Sequence, residues 1–107
     1  MSEYISYLVE VFELFGPVTA RKMFGGYGIY RNGLMFALVA DNILYLKADS
    51  ENSEYFKQEG LPPFEYNKKG NLVKMSYYRA PDEIMDDREQ AALWARRSYE
   101  AAVRARK

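Results

Sequence analysis

The first apolar positions of the chain recur at the three- and four-residue spacing of one helix face. Ser2 precedes them and can cap a helix, and Gly16-Pro17 follows as a stop signal, because glycine suits the position after a helix and proline cannot continue one. We therefore predict an amphipathic helix that packs on the core. Its stripe consists of Ile5, Leu8, Phe12 and Phe15, with Val9 beside them.

Extended stretches separated by turn signals follow, at residues 18–24, 27–31, 34–40 and 43–48. Gly25-Gly26 breaks or bulges the first stretch, Asn32-Gly33 is typical of a type I′ hairpin turn, and Asp41-Asn42 indicates another tight turn. The stretch 34–40 is apolar throughout, as in a central strand that is covered on both faces. One face would meet the helices and the other a second chain, which favours a homodimer.

The second half of the chain continues with a short helix, a strand pair and a long helix. The short helix, capped by Asp49 or Ser50, runs to about residue 59 with Tyr55 and Phe56 as anchors, and strands at 64–66 and 72–78 flank a loop at 68–71. Asp86 or Asp87 caps a final helix over about 88–106. The inward stripe of that helix is Ala91, Trp94, Ala95, Ser98 and Ala102.

The pattern therefore predicts an α+β fold with two layers, an antiparallel sheet of about five strands and helices on one face, in the order α-β-β-β-α-β-β-α. A chain of 107 residues corresponds to a single domain, 1–107.

The composition excludes several classes of functional site. The chain contains no cysteine and no histidine, so we expect no disulfide, no thiolate nucleophile and no imidazole base, and we predict no catalytic residues, no metal and no cofactor. The formal charge is zero, which gives no broad electrostatic attraction to nucleic acid. There is no apolar run of about 18 residues, so we expect no membrane span. The start lacks a basic signal-peptide lead, and we predict a cytoplasmic protein.

Three glycines, Gly25, Gly26 and Gly28, are crowded between large side chains. A glycine-rich phosphate loop requires a strand that feeds into a helix N-terminus, whereas these glycines lie between two extended stretches. We therefore interpret them as structural glycines that bend or bulge a twisted sheet. A small-ligand or enzymatic pocket beside them is the least favoured function.

Charged residues form three groups that each have an ordinary structural explanation. The acidic run at 82–89 precedes a helix, where carboxylates cap and complement the dipole. The basic run at 96–107 ends that helix, where cations are also favourable, although it can equally contact nucleic acid or an acidic partner. A third group combines cations with sheet tyrosines. This combination is typical of protein interfaces and of surfaces that bind single-stranded nucleic acid. The alternative is that these residues simply keep one side of the sheet solvated. This predicted contact surface consists of Arg21, Lys22, Tyr27, Tyr30, Tyr45 and Lys47.

The run Met-Phe-Gly-Gly-Tyr-Gly at 23–28, followed by Leu-Tyr-Leu-Lys-Ala-Asp at 44–49, resembles the N-terminal domain of the TfoX/Sxy family of bacterial competence regulators. Met-Ser-Tyr-Tyr at 75–78 and Leu-Trp-Ala-Arg-Arg-Ser at 93–98 extend the resemblance over nearly the whole chain. The resemblance implies a two-layer α+β domain without catalytic residues. It also implies a role in transcription of competence genes, through a protein partner such as a cyclic-AMP receptor protein. Direct nucleic-acid binding is the alternative function.

Overall fold

A computed structural model describes residues 2–23, 25–68 and 70–106, with the side chains of 66–68 and 71–75 outside the description. Four strands follow the first helix, and two more follow the second. The elements are α1 (Glu3–Val11), β1 (Thr19–Met23), β2 (Gly26–Arg31), β3 (Leu34–Ala40), β4 (Ile43–Lys47), α2 (Ser53–Gln58), β5 (Pro63–Lys68), β6 (Asn71–Arg79), a 3₁₀ helix (Asp82–Met85) and α3 (Arg88–Ala105). Lys69, in the predicted loop, and Phe24, in the first predicted strand, lie outside the described residues.

The strands form one antiparallel sheet in the order β1-β2-β3-β4-β6-β5. The predicted α+β fold is confirmed, with six strands where the sequence indicated about five. The difference arises at the glycines, because Met23 pairs with Gly26 and the chain reverses between them. Residues 18–31 therefore form a hairpin of two strands, where the sequence indicated one interrupted strand.

The helices pack on one face of the sheet, and the core lies between the two layers. Ile5, Leu8 and Val11 of α1 join the alternate residues Ile29, Val39, Leu44 and Leu46 of the sheet and Ala91, Trp94 and Ala95 of α3. The register shifts between Ile29 and Tyr30, so that Phe36 and Ala37 are both buried in this core. The Phe36 ring lies 5.5 Å from that of Phe12.

Helix α1 ends four residues earlier than its apolar stripe indicated, at Val11. Ser2 caps it as predicted, accepting a hydrogen bond from the Ile5 N–H. The chain then turns so that the Phe15 ring reaches Phe36, 5.2 Å away. Val11, three residues after Leu8, completes the buried side of α1, whereas Val9, which the sequence placed beside the stripe, is exposed.

Helix α3 follows its predicted course. Asp87 caps it by accepting hydrogen bonds from the Glu89 and Gln90 N–H groups. All five predicted inward residues are buried. In α2 only one of the two expected anchors is buried, because Phe56 packs between Tyr78 and Trp94 while Tyr55 is 42% exposed.

Candidate interaction surface

Alternate residues of the paired strands point away from the helices. We call this side of the sheet the open face. The strand register assigns to it Arg21, Met23, Gly28, Tyr30, Met35, Leu38, Tyr45, Lys47, Tyr77 and Arg79. Leu38 and Tyr77 are buried but do not belong to the core cluster under the helices, as expected for side chains on the opposite side.

The open face contains four of the six residues of the predicted contact surface: Arg21, Tyr30, Tyr45 and Lys47. The other two, Lys22 and Tyr27, pair with each other across β1 and β2 on the helix side. Tyr27 packs there against the core, whereas Lys22 is exposed. The expectation that all six residues share one face is therefore corrected, because neighbouring residues of a strand point to opposite faces.

Two residues in the middle of the open face are shielded from solvent even though the helices lie on the other side of the sheet. Leu38 is only 8% exposed and Tyr77 only 4%. Burial, with a smaller effect of the nearby Tyr30 phenol, raises the pKa of Tyr77 to about 12. The Tyr30 phenol acts on Tyr77 from β2, which is not a neighbour of β6, so these two side chains approach each other over the middle of this face.

The aromatic rings of the open face already have partners within the chain. The Arg21 guanidinium lies 5.6 Å from the Tyr30 ring centroid, and the Lys47 ammonium lies 5.1 Å from that of Tyr77. Both are cation–π distances. The Tyr45 ring packs against Phe64, with centroids 4.6 Å apart. Two cations therefore cover two tyrosines, and an aromatic ring covers the third.

Two of the predicted structural glycines shape the β1–β2 turn. Gly25 has a φ of +77°, a left-handed conformation that glycine adopts without strain. Gly26 begins β2 so close to β3 that a Cβ would lie 2.0 Å from the Val39 carbonyl oxygen. Both positions therefore require glycine for backbone reasons.

Gly28 differs, because it forms a shallow depression on the open face. A Cβ there would lie 2.7 Å from the sulfur of Met35 and 2.8 Å from that of Met23. These methionines fill the depression with flexible, polarizable side chains, which suit an adaptable contact surface.

Charge is distributed unevenly over this neutral chain. Among the open-face residues whose side chains are described, none is acidic, and the cations Arg21 and Lys47 lie over tyrosine rings. Arg79, at the end of β6, instead lines a cleft with Tyr4 and Asp82. The acidic run lies elsewhere, in the 3₁₀ helix and the first turn of α3. The open face is therefore a cationic and apolar patch, although the chain has no net charge.

The basic end of α3 is largely occupied by contacts within the chain. Arg104 forms a bidentate ion pair with Asp49, at 2.6 and 3.0 Å, and also approaches Glu51. The Arg97 guanidinium stacks over Tyr55, 3.6 Å from the ring centroid. Arg96 and Arg106 remain exposed.

The loop between β4 and α2 is a polar cluster that sequence reasoning missed. Asp49 accepts hydrogen bonds from the Glu51 and Asn52 N–H groups, and the Asp49 N–H donates to Asn52 Oδ1 at 2.7 Å. Asn52 is almost fully buried and donates to the Lys47 carbonyl oxygen. Asp49, one of the two expected caps, belongs to this cluster and accepts from the turn that precedes α2, whereas α2 itself begins later, after Asn52. The hydrogen bond from Arg104 is the main reason that the pKa of Asp49 is lowered.

A small cleft lies at the ends of β4 and β6, away from the glycines. Its volume is about 270 Å³, and Tyr4, Tyr7, Arg79 and Asp82 contribute its polar groups. Burial raises the pKa of Tyr4, although Arg79 opposes the shift. The Tyr7 hydroxyl donates to the Met85 carbonyl oxygen. The least favoured hypothesis placed a pocket beside the glycines, whereas this cleft lies elsewhere.

Comparison with known proteins supports the resemblance seen in the sequence. The sequence model of the TfoX N-terminal domain matches residues 10–102. The chain belongs to this family. It is 27% identical over 89 residues to Protein Sxy of Escherichia coli (strain K12), an alignment that covers 83% of the chain and 43% of Sxy. It is 33% identical over 63 residues to DNA transformation protein TfoX1 of Aliivibrio fischeri (strain ATCC 700601 / ES114), covering 59% of the chain and 30% of TfoX1.

The match to this TfoX N-terminal domain therefore spans less than half the length of either relative. The family match includes all six strands and most of α3. Within the described part of the chain, none of the helices combines the length and apolar character needed to cross a membrane.

Proposed function

We propose that this TfoX N-terminal domain is a non-enzymatic, cytoplasmic regulatory module that acts by protein contact through the open face. The observation that carries the proposal is a sheet face, opposite the helices, on which cations and apolar side chains lie together without a carboxylate among the described residues. The family relationship to Sxy and TfoX1 supports a role in competence and DNA uptake. The partner class is a protein of the transcription machinery, such as a cyclic-AMP receptor protein.

The geometry favours protein contact over base stacking. Single-stranded nucleic acid is bound by aromatic rings whose faces are free to stack with bases. Here the rings of Tyr30, Tyr45 and Tyr77 pack against Arg21, Phe64 and Lys47. The half-buried methionines of the open face, Met23 and Met35, add apolar surface of the kind that protein interfaces bury.

Charge reversal on the open face tests the proposal. We expect the double variant Arg21→Glu/Lys47→Glu to bind purified cyclic-AMP receptor protein at least about tenfold more weakly than the wild type. The lost attractions and the new repulsions together should exceed the roughly 1.4 kcal/mol that corresponds to this factor. Lys22→Glu is the matched control, since Lys22 is exposed next to Arg21 but points to the other side of the sheet.

Binding can be followed by pull-down and by calorimetry, alongside transcription from a competence promoter in cells. Equal binding and equal promoter activity of the double variant and the wild type would remove the open face from the contact. A loss with Lys22→Glu as large as that with the double variant would indicate a general charge effect.

A second candidate function is direct nucleic-acid binding through the exposed cations Arg96 and Arg106. It predicts an affinity that falls steeply with salt, with a slope that decreases when both arginines are changed to glutamine. Because Arg97 and Arg104 are engaged within the chain, the free charge at this end of α3 is smaller than the sequence indicated. Affinity for DNA that does not depend on salt would exclude this candidate.

A further inference from the structure

Two cations of the open face act as covers over buried aromatic surface. Lys47 lies over Tyr77, which is only 4% exposed, and Arg21 lies over Tyr30. Both cations are on long, flexible side chains that lie in weak cation–π contacts, and none of the described carboxylates forms an ion pair with either of them. A stronger partner for each cation would uncover apolar surface beneath it.

We infer that the partner of the open face is an acidic protein segment with interspersed apolar side chains, whose carboxylates draw Arg21 and Lys47 off the tyrosine rings. This inference rests on the proposed function and names the chemistry of the partner. Exposed ion pairs and exposed cation–π contacts are of similar strength, so the exchange becomes favourable because the bound segment excludes water and thereby strengthens the carboxylate pairs. The uncovered rings and Leu38 then receive the apolar side chains of the segment.

Charge complementarity selects this occupant over two others. A second copy of the chain placed face to face would oppose Arg21 and Lys47 with the same cations, without a carboxylate among the described side chains of this face to pair with them. Nucleic acid would supply phosphates for the cations, but it offers no aliphatic side chains to match Leu38 and the methionines around Gly28. An acidic segment with apolar residues satisfies both properties of the face.

Methionine methyl signals in NMR spectra test the inference on the full chain. Met23 and Met35 lie on the open face, whereas Met85 lies in the 3₁₀ helix, away from it, and serves as an internal control. The signals can be assigned by single substitutions to leucine. The probes are a random copolymer of glutamate and tyrosine, polyglutamate, polylysine and an oligothymidylate.

The expected result is a saturable shift of the Met23 and Met35 signals with the glutamate–tyrosine copolymer, with Met85 unchanged. Polyglutamate should bind more weakly because it lacks apolar groups, and polylysine should leave all three signals in place. Arg21→Glu/Lys47→Glu should weaken copolymer binding at least tenfold, and Lys22→Glu should leave it unchanged. If the charge-reversed protein is not folded by circular dichroism, Arg21→Gln/Lys47→Gln replaces it.

Several outcomes would overturn the inference. Open-face signals that do not respond to the copolymer, or that respond equally in the charge-reversed protein, would exclude an acidic segment. A tighter response to oligothymidylate would assign the face to nucleic acid, and a concentration-dependent dimer that shifts the same signals would assign it to a second copy. If the copolymer fails but Arg21→Glu/Lys47→Glu still abolishes binding to the cyclic-AMP receptor protein, the proposed function stands and only the partner chemistry is wrong.

Discussion

The ion pair between Asp49 and Arg104 gives the sharpest stability prediction. Asp49→Ala removes a bidentate pair with Arg104 and, in addition, the acceptor for the N–H groups of Glu51 and Asn52. The pair is about one-third exposed, at 32% for the Arg104 side chain and 28% for Asp49, so we assign it about 1 kcal/mol, the upper end for surface pairs. The lost turn acceptor adds about 1 kcal/mol.

We therefore expect Asp49→Ala to lower the free energy of unfolding by about 2 kcal/mol, and the melting temperature by about 10 °C. Asp49→Asn keeps a neutral acceptor for the turn and should cost about half as much. In a double-mutant cycle with Arg104→Met, urea denaturation should give a coupling energy of about 1 kcal/mol. Glu51→Ala, which removes only the 3.2 Å contact from the same arginine to a side chain that is 67% exposed, is the control and should cost less than about 0.5 kcal/mol.

The same pair fixes the direction of a pH effect. Because the folded state lowers the pKa of Asp49 below its ordinary value of 3.8, the stabilisation is complete above that value and is lost as the pH falls toward the lowered pKa. Asp49→Asn should flatten this part of the stability profile. The conclusion that this ion pair stabilises the packing of the loop against α3 would be refuted by two results together. These are a coupling energy near zero and a loss of stability at low pH that is the same in Asp49→Asn as in the wild type.

Three further outcomes are expected. Gly26→Ala should cost about 3 kcal/mol or more, because its Cβ meets the Val39 carbonyl. Gly28→Ala should cost only about 1 kcal/mol, because flexible methionine side chains and the edge of the Tyr30 ring, and no backbone, must move; similar melting temperatures for the two variants would contradict this. Stability should fall between pH 10 and about 12, because the folded state holds the Tyr77 phenol neutral above its ordinary pKa. Tyr77→Phe should remove a late step from the ultraviolet phenol titration, and a wild-type titration in which all phenols ionise near pH 10 would exclude the raised pKa of Tyr77. Ser98→Ala should stabilise the chain by about 0.5 kcal/mol in urea denaturation, because the buried hydroxyl has no hydrogen-bond partner among the described residues and alanine favours helices; a clear loss of stability would reveal a partner.

Elements with strong periodicity could be predicted from the sequence. The stripe from Ala91 to Ala102 identifies the buried side of α3, because small residues at helical spacing let a helix lie close to a sheet. The Asn32-Gly33 pair predicts its hairpin, since both residues have the positive φ that the turn requires. Alternation within β4 also places Tyr45 and Lys47 on one face, as the register confirms.

Other features depend on register or on distant contacts. Arg21 and Lys22 are neighbours in a strand, so the two-residue period alone separates their faces, and this signal was available in the sequence. Tyr27 and Tyr30 are three apart, and the same period separates them. The pairing of Asp49 with Arg104 joins residues 55 positions apart, and nothing in the local pattern indicates it.

The position of β1 at one end of the sheet has a consequence for handling this protein. An outermost strand exposes unpaired backbone groups that can recruit another chain and start aggregation, and natural proteins discourage this with charged side chains on that strand. Arg21 and Lys22 supply that charge on both sides of β1. Replacing them with alanine would therefore remove a safeguard of solubility together with any binding contact, whereas glutamate at either position preserves the safeguard.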